Sequence, residues 1–358
     1  MAKFKILAKE VEYMDQEMLE QIQQMPKTVL HIHLDGSLRP ETVYKWLKEQ
    51  GIDISLEEVR KQLMVDRNCR DLNQYLEKFS LPVSVLLSES HIEQAVYELF
   101  EDLAKQNVIY AEVRFAPSLH TEKGLSYAQI VEAATAGMNK AKEQFAIQGN
   151  LILCCMRGPD NKKSNLQTVK VAKEYLGKGI VALDLAGAEA LFPNKDYEDV
   201  FKVAKQLDIP FTMHAGEADG PQSIRKAIEM GATRIGHGVR CIEDKALMAE
   251  LAYKEIPLEV CPISNLQTKA VEEPHPIDKI YKRGIRTTIN TDNNTVSNTN
   301  ILEEYQYVLE NTDLTLKDIA QMNVNAIRGA YISPQEKAGL IAEINKHQQS
   351  LEKSHEEK

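Results

Sequence analysis

Short apolar runs of strand length recur along the chain, separated by stretches in which apolar residues repeat with helical spacing. Residues 197–207, for example, place their apolar side chains on one helical face. Another helix is expected between Pro221, which suits a first turn, and Gly231, which suits a helix end. The pattern therefore predicts alternating strands and helices. The eight predicted strands are residues 29–34, 109–115, 151–156, 180–185, 210–213, 234–236, 257–261 and 286–290.

Repeated β–α units favour a parallel sheet, because each helix carries the chain back to the start of the next strand. Eight such units predict an α/β fold closed into a (β/α)8 TIM barrel. The alternative is an open doubly wound sheet, which usually binds its ligand through a glycine-rich turn. No G-x-G-x-x-G sequence follows any predicted strand, which favours the barrel.

A long segment, residues 35–108, separates the first two predicted strands and contains helical patterns. An insertion after the first strand lies at the face of a barrel that carries active sites, so we expect a helical lid there. The alternative is an extra packing layer with no role at the site. We expect residues 1–358 to form a single domain, with a charged tail at residues 347–358 that frays.

Composition narrows the possible partners. With 43% hydrophobic and 27% charged residues, the 358-residue chain has the make-up of a globular protein. A net charge of −10 argues against nucleic acid, since phosphate binding needs a basic face. No apolar run approaches the ~20 residues of a membrane span, and the first residues lack a signal-peptide pattern. The five cysteines form no C-x-x-C pair, so we expect them to be reduced and buried in a cytoplasmic protein.

Two histidines, His31 and His33, end the first predicted strand and lie two residues apart. Residues with that spacing in a strand project to the same face, so the two imidazoles can bind a divalent metal together. Core hydrogen bonding by one or both rings is the equally simple alternative. The pair alone does not decide between these two interpretations.

Other chemically capable residues also fall at the ends of predicted strands, where a barrel carries its functional groups. They are His214, His237 and Asp292. Burying such groups without partners costs several kcal/mol each, a cost that a bound metal relieves. Imidazoles and one carboxylate suit Zn²⁺, and they leave iron, cobalt and manganese as alternatives. The other histidines, in helical, loop or tail contexts, are expected to be solvated or structural: His91, His120, His275, His347 and His355.

Several motifs occur in an order that resembles the adenosine deaminase family of the metal-dependent amidohydrolases. They are His-Ile-His-Leu-Asp-Gly-Ser at residues 31–37, His-Ala-Gly-Glu at 214–217, Gly-His-Gly at 236–238, Cys-Pro-Ile-Ser-Asn at 261–265 and Asn-Thr-Asp at 290–292. Residues 110–117 and 184–187 are similar to further segments of the family. The resemblance covers roughly residues 27–334. H-x-H alone is shared by many amidohydrolases, whereas the full ordered set is specific.

The resemblance implies one Zn²⁺ per chain and a role for each motif residue. The implied zinc ligands are His31, His33, His214 and Asp292. Glu217 matches the family's proton donor, and His237 matches its water-orienting base, with Asp292 beside them. His33 also borders the substrate, Asp35 matches the contact to the ribose 5′-hydroxyl, and the backbone N–H of Gly187 matches the contact to purine N3. Glu259, Ser264 and Arg114 are candidates for orienting the ligands.

One position departs from the family pattern. Many members have a second aspartate directly after the metal-binding one, and it pairs with purine N7. Here that residue is Asn293. Because N7 is an acceptor, an aspartate must be protonated to donate to it, whereas an asparagine amide donates at any pH. We expect Asn293 to keep the N7 contact, the alternative being a different 6-aminopurine substrate.

The implied activity is hydrolytic deamination of adenosine and 2′-deoxyadenosine to inosine and 2′-deoxyinosine, as in purine salvage. Zinc would lower the pKa of a bound water to ~7 for attack at C6. Glu217 would protonate N1, which requires a carboxyl kept neutral by burial. The alternatives are a deaminase of adenine or of another N9-substituted 6-aminopurine and, more remotely, a non-catalytic barrel that binds a purine or a partner.

Overall fold

A computed structural model describes residues 16–66 and 68–356 of the chain. Its eight strands follow the predicted runs closely, with boundaries displaced by a few residues. The strands are β1 (Lys27–His33), β2 (Val108–Phe115), β3 (Gln148–Met156), β4 (Ile180–Ala186), β5 (Thr212–Ala215), β6 (Arg234–His237), β7 (Leu258–Val260) and β8 (Thr287–Ile289).

Sixteen α-helices surround or precede these strands in the described part of the chain. They are α1 (Gln16–Gln24), α2 (Pro40–Glu49), α3 (Leu56–Leu63), α4 (Leu72–Leu76), α5 (Ser80–Val85), α6 (Glu89–Lys105), α7 (Tyr127–Gln144), α8 (Lys162–Tyr175), α9 (Glu198–Gln206), α10 (Pro221–Met230), α11 (Lys245–Tyr253), α12 (Pro262–Gln267), α13 (Ile277–Lys282), α14 (Ile301–Asn311), α15 (Leu316–Gly329) and α16 (Pro334–Glu356). As predicted, Gly231 ends α10 in a left-handed conformation, with a φ of 104°.

The strands pair in parallel and in chain order, β1 to β4 in one sheet and β5 to β8 in another. Backbone contacts join the two sheets at both edges. Leu183 of β4 bridges Phe211, just before β5, and Ile32 of β1 bridges Asp292, just after β8. The side chain of Asn290 also accepts from the backbone N–H of Leu30 at 2.8 Å. The predicted (β/α)8 barrel architecture is confirmed.

The segment between β1 and β2 contains the helical insertion that the sequence predicts. Helix α6 packs against β2 and α7 as an ordinary barrel helix, whereas α2 to α5 are additional. Arg39 fastens the start of the insertion to α6 through Glu101 and Asp102. The additional helices therefore lie at the end of β1 where His31 and His33 emerge.

A continuous apolar core lies between the strands and the helices around them. All five cysteines are buried and free, as predicted: Cys69, Cys154, Cys155, Cys241 and Cys261. None of the helices in the described part of the chain has the length and apolar character needed to cross a membrane. The first 15 residues lie outside the described residues, and helix α16 continues to Glu356.

Candidate active site

The carboxyl ends of the strands surround a cavity of about 270 Å³. Most of the site residues predicted from the sequence line it: His33, Asp35, Gly187, His214, Glu217, His237, Asp292 and Asn293. His31 lies directly beneath, fully buried and without access to solvent. Apolar side chains from the insertion cover the opposite wall: Leu72, Tyr75, Leu76 and Phe79.

Four donor atoms converge at the floor of this cavity. The Nε2 atoms of His33 and His214 lie 3.2 Å apart. Oδ1 of Asp292 lies 3.3 Å from Nε2 of His31 and 3.4 Å from Nε2 of His33. A tetrahedral Zn²⁺ with bonds of about 2.05 Å has ligand atoms about 3.3 Å from one another. These three distances are therefore close to those between zinc ligands, and Nε2 of buried His31 has no hydrogen-bond partner among the described residues.

The protonation states of these rings suit a metal, which requires neutral imidazoles. Burial holds the pKa of His33 and His237 well below the usual histidine value and lowers the pKa of His214. His31 behaves differently. Burial disfavours its charged form, but the nearby carboxylates of Asp292 and Glu259 raise its pKa overall. A cation at the floor of the cavity would replace the proton that these carboxylates attract.

Glu259, at the middle of β7, orients His31. Its Oε2 lies 2.9 Å from Nδ1 of His31 and accepts a hydrogen bond of 2.8 Å from Arg114. Its Oε1 accepts from Arg234 at 2.7 Å. With Nδ1 donating to a carboxylate, the lone pair of His31 Nε2 points to the cavity floor. Two of the orienting candidates named from the sequence, Glu259 and Arg114, thus act on the same ligand.

Asp184, on β4, orients His214 in the same manner. Its Oδ2 lies 2.9 Å from Nδ1 of His214 and accepts from Arg114 at 3.0 Å. Arg114 therefore bridges the two carboxylates that hold His31 and His214. Asp184 was not among the orienting candidates named from the sequence. The available signal was a charged residue within an otherwise apolar strand, because a buried carboxylate needs a partner.

Asp292 follows β8 and is held by the third orienting candidate, Ser264. The Ser264 hydroxyl donates a hydrogen bond of 2.6 Å to Oδ2, which leaves Oδ1 facing His31 and His33. Although burial alone would raise the pKa of Asp292, the nearby imidazoles, that of His31 first, hold it well below its usual range. Both Asp292 and His237 have left-handed backbones, with φ of 60° and 61°. Such conformations are uncommon outside glycine and concentrate at functional sites.

Glu217 lies on the turn after β5 and reaches the cavity with its carboxyl group. Its Oε2 is 3.5 Å from Nε2 of His237, and its Oε1 has no hydrogen-bond partner in the described part of the chain. Burial raises the pKa of Glu217 well above its usual range, and the charges of Asp292 and Glu189 raise it further. A neutral carboxyl can donate a proton, as the predicted role requires.

His237 ends β6, and its tautomer follows from its neighbour Asn265. Oδ1 of Asn265 accepts from the backbone N–H of Cys261, so the amide nitrogen faces His237 and donates to Nδ1 at 2.9 Å. A neutral ring that accepts at Nδ1 carries its proton on Nε2. His237 therefore presents a hydrogen-bond donor to the cavity, which suits orientation of a water oxygen. The sequence analysis missed Asn265, although it lies within a quoted motif.

Three further predicted contacts lie around the cavity wall. Asp35 begins a single 3-10 turn after β1, and burial raises its pKa to about 6. Within residues 16–66 and 68–356, its Oδ1 has no hydrogen-bond partner. Gly187 follows β4 with a φ of 108°, a conformation that few other residues adopt. Asn293 packs so closely on Gly36 that a Cβ at residue 36 would meet Oδ1 of Asn293 at 1.7 Å.

Among the described side chains, the histidines outside the strand ends do not line the cavity, and the side chain of His355 lies outside the described residues. Neither His120 nor His275 lines it, although both are buried. His91 stacks on Trp46 with the ring centroids 4.2 Å apart. These rings have structural positions, as the sequence analysis expected.

Comparisons with known proteins agree with this geometry. The sequence model described as adenosine deaminase matches residues 26–347. The adenosine deaminase of Haemophilus ducreyi is 43% identical over 331 residues, which cover 90% of this chain and 96% of that protein.

Two solved structures are similar to the chain. An amidohydrolase from Burkhoderia ambifaria with bound Zn has a TM-score of 0.87 at 23% identity, covering 96% of this chain and 97% of that one. At that identity the likeness shows the fold alone. An adenine deaminase from Arthrobacter aurescens has a TM-score of 0.82 at 25% identity, covering 90% and 98%.

Proposed function

The chain belongs to the adenosine deaminase family, and we propose that it hydrolyses adenosine and 2′-deoxyadenosine to inosine and 2′-deoxyinosine with release of ammonia. The observation that carries this proposal is the buried carboxyl group of Glu217, whose pKa burial raises well above its usual range, in the same cavity as metal-donor atoms 3.2 to 3.4 Å apart. Such a reaction recovers purines, so we assign the enzyme to purine salvage.

We propose one Zn²⁺ per chain, held by His31, His33, His214 and Asp292. The donor spacing and the unpartnered Nε2 of buried His31 support this assignment. His237 also lies within reach of a metal, since one of its ring nitrogens lies within 4.8 Å of donor atoms of His31, His214 and Asp292. The hydrogen bond that Asn265 donates to Nδ1 of His237 favours a role for this ring in orienting water instead. When bound, zinc activates water by lowering its pKa to ~7.

Residues of the chain carry out the remaining steps of the reaction. His237 orients the attacking water with its Nε2–H, while the second oxygen of Asp292, already held by Ser264, receives the proton of that water. Glu217 transfers its proton to purine N1 as the water oxygen bonds to C6. The bond from C6 to the amino group then breaks, and the amino group leaves as ammonia with the one proton that Asp292 received from the water. N1 keeps the proton from Glu217, and the last proton of the attacking water returns to Glu217 as the C6–O bond becomes a carbonyl. The purine keeps an oxygen at C6.

Recognition of a nucleoside rests on Asp35. Asp35 lines the cavity and has an oxygen without a described hydrogen-bond partner, which supports its proposed role as acceptor for the ribose 5′-hydroxyl. A free base has no such hydroxyl, so Asp35 favours adenosine over adenine. Gly187 is proposed to donate to N3 and Asn293 to N7, which together orient the purine ring.

We propose that the insertion at approximately residues 35–108 acts as a lid of the single catalytic domain. Its side chains Leu72, Leu76 and Phe79 line the cavity opposite the metal ligands. Tyr75 hydrogen bonds to Ser297 at 2.6 Å, which ties the insertion to the loop that carries Asp292. Closure of this kind excludes water from the reacting purine.

A reducing compartment, the cytoplasm, is proposed as the place of action because all five cysteines are buried free thiols. The net charge of −10 supports a small nucleoside as the partner in preference to nucleic acid.

The test is a panel of aminopurines assayed by ammonia release and by the loss of adenine-type ultraviolet absorbance. Adenosine and 2′-deoxyadenosine should be the best substrates, and a chelator should abolish activity until Zn²⁺ is restored. A preference for adenine would support the base-specific alternative. Bound zinc without ammonia release from any aminopurine would favour the non-catalytic barrel.

A further inference from the structure

Glu189, on the loop after β4, is a fully buried carboxylate that the proposed mechanism does not use. Its Oε1 accepts a hydrogen bond of 2.7 Å from the backbone N–H of Gly216 and another from the Ser223 hydroxyl. Its Oε2 accepts from three successive backbone N–H groups, those of Glu217, Ala218 and Asp219, at 3.0, 2.7 and 3.0 Å. Every partner is a donor, as an ionised carboxylate requires.

The turn that surrounds this carboxylate has little freedom to move. Gly216 has a φ of 70°, and a Cβ there would lie 2.4 Å from Cδ1 of Ile224. Consecutive N–H groups that point inward form a concave anion-binding arrangement, which Glu189 fills. The backbone of Glu217 is therefore held by the constrained Gly216 before it and by the hydrogen bond from its own N–H to Glu189.

The loop that carries Glu189 also carries Gly187, two residues earlier, and is itself anchored. Arg157 donates to the carbonyl oxygens of Phe192 and His214 at 2.6 and 2.7 Å. These bonds join the loop after β4 to the end of β5. The loop of the proposed N3 contact and the turn of the proposed N1 acid are thus linked by hydrogen bonds through Arg157 and Glu189.

We propose that Glu189 is a positioning residue, whose carboxylate holds the turn at residues 216–219 so that Glu217 faces N1 of a purine bound at Gly187. This proposal rests on the proposed deamination and on Glu217 as its acid. A displacement of about 1 Å at a reacting group can cost about 100-fold in rate. Loss of this carboxylate should therefore reduce kcat more than it changes KM.

The negative charge of Glu189 has a second effect, on the pKa of Glu217, which can be measured separately from the positioning of the turn. The groups around Glu217 are Asp292 and Glu189, which raise its pKa, Arg157, which lowers it, and His237 at 3.5 Å. Removing the charge of Glu189 while keeping its shape should lower the pKa of Glu217. Because the neutral acid is the active form, the alkaline fall in activity should move to lower pH.

The experiment compares Glu189→Gln and Glu189→Asp in the zinc-loaded enzyme. We expect E189Q to lose about 100-fold in kcat for adenosine, with zinc content unchanged and the alkaline limb of the pH profile at lower pH. E189D keeps the negative charge on a shorter side chain that no longer holds the turn. Its kcat should therefore fall while the alkaline limb of the pH profile stays at the same pH. Asp244→Asn is the matched control, since Asp244 accepts two backbone N–H groups at the start of α11, outside the cavity.

A double variant distinguishes positioning from general damage. In a Glu217→Gln background, Glu189→Gln should cost less than about twofold, because both changes act through the same acid. An equal loss in both backgrounds, a loss of zinc in E189Q, or an unchanged kcat would each overturn the proposal.

Amide hydrogen exchange provides a readout that needs no activity. The amides of residues 216–219 should exchange faster in E189Q and as in wild type in Asp244→Asn. Unchanged exchange would overturn the positioning role. A wild-type enzyme that deaminates no aminopurine would instead overturn the proposed function, and the exchange rates would still decide whether Glu189 holds the turn.

Discussion

Ser264 donates a hydrogen bond of 2.6 Å to Oδ2 of Asp292, and this contact decides which carboxylate oxygen faces the histidines. Partners of this kind fix the orientation of a metal ligand, and their loss costs about 10- to 100-fold in metal affinity. Ser264→Ala should therefore weaken zinc binding by about 10- to 100-fold, measured by competition with a chromogenic chelator. Ser164→Ala, on α8 and outside the cavity, is the control and should bind zinc as wild type does. Equal zinc affinity in both variants would contradict the orienting role.

Glu217→Gln should reduce kcat by about 10²- to 10⁴-fold, the usual contribution of a general acid, because an amide cannot transfer the proton to N1. Its zinc content should stay unchanged, as measured by atomic absorption.

The pH dependence follows from the raised pKa of Glu217. The neutral form is active, so activity is retained below that pKa and falls as pH rises through it. A free carboxyl would have lost its proton by pH 6. Activity that already falls between pH 4 and 6 would therefore contradict Glu217 as the acid.

The ends of the strands could be predicted from the sequence because the polar residues there interrupt apolar runs at regular positions. His214 and Asp292 stand directly after such runs, and the barrel then requires them to meet. Pairings between distant loops could not be predicted in this way. Glu189 lies 27 residues before Gly216, and no periodicity links the two.

Local patterns also could not predict the tautomer of His237, because it depends on which way the Asn265 amide faces. That orientation is set by the backbone N–H of Cys261, a contact made only after β7 and α12 have packed. Residue types can therefore predict a metal site, whereas the direction of each hydrogen bond requires the fold.

Asp35→Ala should lower kcat/KM for adenosine by about 10- to 100-fold, mainly through KM, since a hydrogen bond to a charged group contributes about 1.5–3 kcal/mol. The matched control for this prediction is a second substrate, not a second variant. 5′-Deoxyadenosine lacks the hydroxyl, so wild type and variant should process it with similar kcat/KM. An equal loss with both substrates would show that Asp35 does not read the 5′-hydroxyl.

Tyr75→Phe tests the lid. It removes only the hydroxyl that bonds to Ser297, so we expect KM for adenosine to rise by roughly 2- to 10-fold, in proportion to one neutral hydrogen bond. Amides at residues 72–79 should exchange faster. Tyr97→Phe is the control, because its hydroxyl bonds to Gln144 on α7, away from the cavity. If Tyr75→Phe and Tyr97→Phe have the same KM for adenosine, the insertion does not act through Tyr75.

Asn293 should make the enzyme dependent on purine N7. Its Oδ1 lies on the Gly36 side, so we expect the amide nitrogen to face the substrate and donate to N7. Wild type should lose about a thousandfold in kcat/KM with 7-deazaadenosine, because a site built to hydrogen bond rejects an analogue without the acceptor.

Variants at the same position separate the N7 contact from a general preference for adenosine. Asn293→Ala should process adenosine and 7-deazaadenosine with similar kcat/KM, since neither can then receive the bond. Asn293→Asp can donate only while its carboxyl is protonated. Its kcat/KM for adenosine should therefore fall as pH rises through that pKa, with no matching fall in wild type. If wild type instead processes 7-deazaadenosine as well as adenosine, Asn293 does not contact N7, and a different 6-aminopurine becomes the substrate to seek.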